Sequence, residues 1–111
     1  MHHVGKVIAV EIKILKSIPV QWSITVYGIV NSGGWSNPGL YPRFYIDFPQ
    51  DGILDLDFMA MPPDGIAIQP ILPIVAQIVW PNPPDYVKGV RIHSASNHLE
   101  SLVSDASTLT I

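Results

Sequence analysis

A chain of 111 residues has room for one hydrophobic core, so residues 1–111 are expected to fold as a single domain. It contains no cysteine, which excludes thiol catalysis, disulfide stapling and cysteine-ligated zinc or iron–sulfur centres. Only 14% of the residues are charged, where about a quarter is usual, and the 6 Lys and Arg form no basic stripe that could follow a phosphate backbone, so nucleic-acid binding is not expected.

The opening MHHVGKV lacks the apolar core and small-residue cleavage site of a secretory signal, so the expectation is a cytoplasmic chain or one already processed. Residues 7–16, VIAVEIKILK, alternate Ile8, Val10, Ile12 and Ile14 against Ala9, Glu11, Lys13 and Leu15, the period of a half-buried strand. A short link through Pro19 leads to VQWSITVYGIV, where Val20, Trp22, Ile24 and Val26 alternate with polar neighbours. The two runs are expected to pair as a hairpin, with Gly28 at a bulge or a point of close approach.

Residues 31–42, NSGGWSNPGLYP, read as a loop rich in Gly, Ser, Asn and Pro. RFYIDF, 43–48, is a short strand by composition, and ILDLDFMA, 53–60, another, with Leu54, Leu56, Phe58 and Ala60 on one face and Ile53, Asp55, Asp57 and Met59 on the other. Each is followed by a Pro-x-Asp-Gly turn, in which proline presets φ and glycine accepts φ above zero. Pro70 and Pro73 divide the next apolar run into an edge piece and a strand near 74–80. That run, 66–80, is too short and broken for membrane insertion, which takes about twenty residues. YVKGVRIHSA, 86–95, turns Lys88, Val90 and Ile92 to one face and Arg91 and His93 to the other. In the tail, Asn97 with Glu100 three residues later has capping-box spacing for a helical turn, while 107–111 alternates like an edge strand. The whole pattern is all-β: an antiparallel β-sandwich or small barrel of about six to eight short strands joined by Pro/Gly/Asp turns.

Three groups of residues bear on function. Asp55 and Asp57 share a strand face with Cα atoms about 7 Å apart, and with Asp51 they make the candidate metal ligands for calcium, since hard cations take oxygen donors. The competing interpretation is a solvated strand face or charges that stop an edge from pairing further. Trp35, Tyr41, Tyr45 and Trp80, with Asn37, sit in or beside loops, where aromatic rings stack on sugars or anchor protein contacts; packing of the sandwich ends is the alternative use. His93 can be grouped with an aspartate and a nearby serine such as Ser94 or Ser96, or with His98 around zinc, but no Gly-x-Ser-x-Gly elbow or finger spacing supports either. Met1-His2-His3 has the donors for a square-planar copper site and is equally an ordinary chain end.

The low charge points to surface hidden by self-association or to an apolar cavity. The leading expectation is therefore a non-catalytic binding or assembly module, homo-oligomeric, needing no cofactor, with the 34–41 loop as its working surface. Next comes a small-ligand, carbohydrate-like binder with Trp35 and Tyr41 as platforms and calcium in support. A small hydrolase or isomerase using His93 and an aspartate comes third.

Overall fold

Strand periodicity is realised along most of the chain in the computed structural model, which describes residues 1–43, 50–64 and 70–110. The described strands are β1 (His2–His3), β2 (Lys6–Lys16), β3 (Gln21–Val30), β4 (Ser36–Pro42), β5 (Ile53–Met61), β6 (Leu72–Pro81), β7 (Gly89–His93), β8 (His98–Leu102) and β9 (Ser107–Thr110). They form two packed sheets, a β-sandwich, and no described helix is long and apolar enough to cross a membrane. The expected strand over 43–48, with Tyr45, and the second Pro-x-Asp-Gly turn at Gly65 lie largely outside the described residues.

Sheet A runs β4-β5-β7-β8, with β1 lying end to end with β7 along the same side of β5. Sheet B runs β6-β3-β2-β9. Most neighbours are antiparallel, and two pairs are parallel: β5 with β7, matching Asp55 to Arg91 and Asp57 to His93, and β2 with β9, matching Lys13 to Ser107.

Between the sheets, Phe58, Ile24, Val26, Val90 and Ile92 are completely or almost completely removed from water. Burying a side chain such as Phe58 contributes roughly 3 kcal/mol. Its ring lies against Gly28, where an added Cβ would come within 2.8 Å of Phe58 Cε2 and 2.7 Å of the Lys6 carbonyl. Gly28 is thus the expected point of close approach, and a bulge lies opposite it in β2, between Val7 and Ala9. That extra residue keeps Val7 and Ile12 both buried while turning Ile8 outward. The simple alternation, which put Ile8 on the face of Ile12, fails there because a bulge adds one residue to the period.

Two local expectations are corrected. The segment expected as a loop over 31–42 becomes β4 from Ser36 onward, because β5 supplies a ladder partner for Leu40, Tyr41 and Pro42. With β5 as its one partner among the described residues, it tolerates Pro38 and Pro42, and Asn37 stands at φ 52 beside a break in register. The tail helix is replaced by β8, since β7 offers Gly89 to His93 as partners for Leu102 to His98. The edge strand expected after 106 is present as β9. Gly52, at φ 72, fulfils the turn expectation at Asp51-Gly52.

Candidate functional site

The outward face of sheet A gathers the acidic residues. Alternation along β5 buries Leu56 and Phe58 and turns Asp55 and Asp57 out, and the parallel register brings Arg91 and His93 of β7 beside them. Asp55 Oδ1 accepts from Arg91 Nη1 at 3.2 Å and lies 2.6 Å from His93 Nε2. Arg91 also reaches Glu100 on β8, with Nε to Oε1 at 2.8 Å, and Asp51 at 3.5 Å. The Glu100 carboxylate beside it is the main reason that Arg91 holds its proton more tightly than usual.

Asp57 accepts a two-pronged contact from Arg43, Nη2 to Oδ1 at 3.0 Å and Nε to Oδ2 at 3.2 Å, and meets His3 Nε2 at 3.0 Å. The Arg43 hydrogen bond is the largest influence on its carboxyl, outweighing partial burial and lowering its pKa below the ordinary 3.8. Asp51 caps its own turn, its Oδ1 accepting from Ile53 N at 3.0 Å. The three aspartates expected to share a calcium ion thus stand on one face, each engaged by cations or backbone. Among the described residues no three His, Asp or Glu side chains form a group that could hold a metal.

His93 and Asp55 make an oriented pair, and the His98 ring lies 5.7 Å from that of His93. The neighbouring serines are committed elsewhere. Ser94 Oγ lies 2.9 Å from the Asn97 carbonyl oxygen, and Ser96 Oγ donates to the Gly5 carbonyl at 2.7 Å. The pair connects β5 to β7 across their parallel register. Clefts open elsewhere: an apolar one of about 250 Å³ between the sheets beside Ile24, Leu56 and Trp80, and another at one end of the sandwich beside Trp22 and Pro83.

The aromatic candidates do not form one platform. Trp80 packs edge-on against Trp22, ring centres 5.6 Å apart, and is partly buried against the core. Trp35 packs on the same core and its indole N–H donates to Ser32 Oγ at 3.0 Å. Tyr41 is exposed and lies over Gly39, and Asn37 is exposed at the register break of β4. Tyr45 lies outside the described residues.

Sequence reasoning missed the outward face of sheet B. Tyr27 on β3 stands between Val75 on β6 and Ala9 on β2, next to the bulged Ile8. Ile8, Val75 and Val79 are about half exposed, at 54%, 45% and 53%. The rest of the central face is Ser23, Thr25 and Gln77, with Gln77 Nε2 donating to Ser23 Oγ at 2.9 Å. Among the described residues its charges are Lys6 at the strand end and an ion pair of Lys13 with Glu11 at 3.1 Å. The signal was present in the sequence as PIVAQIVWP, a strand that carries no charge on either face. Compared with protein-family models, curated proteins and solved structures, the chain matches none.

Proposed function

We propose that this protein is a non-catalytic assembly module that associates with copies of itself through sheet B. The observation that carries this reading is the exposed outward face, on which Ile8, Tyr27, Val75 and Val79 stand in water and which, among the described residues, carries one ion pair and a terminal lysine as its charges. Exposed apolar side chains grouped on one sheet face in this way favour an interaction site, and a homo-oligomer is the commonest way to cover them. Sheet A supports the same conclusion from the other side. Its ionisable groups hold strands together, and its His–Asp pair has its nearest serines in sequence tied to the backbone.

Sedimentation or light scattering tests the proposal. The expected mass is a multiple of the 12.2 kDa protomer, falling toward one protomer when Tyr27→Glu and Val75→Glu place charge on the face. A single-protomer mass for the unaltered protein at every concentration would overturn it.

A further inference from the structure

Among the described residues β6 ends sheet B, with β3 as its one ladder partner. The side on which its peptide groups lie is fixed by one bond. Asn82 N–H donates to the Val20 carbonyl at 2.8 Å, in the register that continues Trp80 to Trp22 and Ile78 to Ile24. In an antiparallel ladder alternate residues exchange hydrogen bonds. Ile74, Ala76, Ile78 and Trp80 therefore spend their peptide groups on β3, whereas Pro73, Val75, Gln77, Val79 and Pro81 direct theirs to the side that pairs with no described strand. Both prolines fall in the set for which a missing N–H costs β3 nothing.

The same stretch is nearly symmetric about Gln77. Moving outward from it, Ala76 matches Ile78, Val75 matches Val79, Ile74 matches Trp80, and Pro73 matches Pro81. An edge with that symmetry is complementary to itself when turned by a half-rotation, as a twofold interface requires. It also lacks the charge with which open edges normally repel a second strand.

We infer that two copies join β6 to β6 in antiparallel fashion about an axis at Gln77, making one continuous sheet from both copies of sheet B. The inference rests on the assembly reading above and gives it a register. Val75 exchanges two hydrogen bonds with the second copy's Val79, Gln77 with the second copy's Gln77, and Val79 with the second copy's Val75. Pro73 then faces the second copy's Pro81 at each end, where neither can donate and the ladder stops. On the outward face, Val75 and Val79 of the two copies become direct neighbours and lose much of their exposure.

Amide hydrogen exchange followed with concentration tests this register, together with the mass of Val79→Pro. That substitution removes an N–H that β3 does not use, so every β3–β6 hydrogen bond keeps its donor. The expected result is a dimer in which the Val75, Gln77 and Val79 amides are protected at high concentration and exchange freely on dilution, while Ile74, Ala76 and Ile78 stay protected throughout. Val79→Pro, and Val79→Lys as a second variant that keeps its N–H, are expected to shift the protein to a single-protomer mass with an unchanged circular dichroism spectrum. An oligomer that persists in both folded variants, or whose three edge amides exchange freely, overturns the edge pairing and leaves assembly through the face standing. Edge amides protected in a protein of single-protomer mass also overturn it. A single-protomer mass with unprotected edge amides at every concentration removes both readings. Should Val79→Pro fail to fold, Val79→Lys and the exchange pattern of the unaltered protein decide the matter.

Discussion

The side-chain amide of Asn97 pairs with the backbone of Val7 as a peptide group would, accepting from Val7 N at 2.9 Å and donating to Val7 O at 2.8 Å. Val7 lies at the bulge of β2, on the side where β9 reaches only Lys13 to Lys16. Asn97 fills the missing ladder position and ties the β7–β8 turn of sheet A to sheet B. Asn97→Ala leaves both Val7 groups without their partner and is expected to cost about 1–3 kcal/mol. Urea unfolding checks it, as a lower midpoint with unchanged slope.

Gly28 is expected to refuse even one methyl group. The new Cβ would sit 2.7 Å from the Lys6 carbonyl and 2.8 Å from the Phe58 ring, so Gly28→Ala is expected to lose about 1–3 kcal/mol through overpacking. At Gly33 the nearest atom to an added Cβ is Leu72 Cδ1 at 3.9 Å, and Gly33→Ala is expected to stay within about 0.5 kcal/mol. Thermal melts of the two variants give the contrast directly.

The tryptophans and the exposed tyrosine separate in the same way. Trp22 is buried and holds Trp80 edge-on, so Trp22→Ala is expected to cost about 3–5 kcal/mol. Tyr41 is 44% exposed, and Tyr41→Ala is expected to change stability by no more than about 1 kcal/mol. Chemical denaturation of both variants measures the difference.

Acid should weaken the Asp57 contact in a defined direction. Its folded-state pKa is lowered, chiefly by the Arg43 hydrogen bond, so below the ordinary value of 3.8 the unfolded chain takes up the proton first. The stabilisation is complete above that value and is lost as pH falls through the lower folded one. Asp57→Asn is expected to be less stable than the unaltered protein by about 1 kcal/mol at neutral pH, the scale of a partly exposed ion pair. Melting curves taken at successively lower pH should converge as the carboxylate protonates.

Strand alternation made most of the fold legible before any coordinates. The β2–β3 hairpin and the two faces of β5 follow from period-two patterns, and the Asp51-Gly52 turn from its φ requirement. What escaped depends on pairing with a neighbouring strand, which local composition does not record. Asn97 and Glu100 have the spacing of a helix cap, and only the presence of β7 makes that stretch a strand. Ser36 to Pro42 has loop composition, and β5 makes it a strand. At the acidic face the shared orientation of Asp55 and Asp57 was readable. Their cations were not: Arg91 and His93 reach Asp55 through a parallel β5–β7 register that leaves no mark in either run, and Asp57 meets Arg43, just past β4, and His3 on β1.

The distance along the chain between paired strands also sets the order in which they can be secured. β2 and β3 adjoin through a short turn, whereas β6 must return to β3 and β9 to β2 across long intervening stretches. Closing such loops costs entropy before any contact rewards it, and sheets of this kind fold in about milliseconds to seconds. Until β3 captures it, an emerging β6 is open on both sides, and its prolines can limit only the side that faces outward in the finished sheet. Crowding during synthesis therefore threatens the half of β6 that the native protein never exposes.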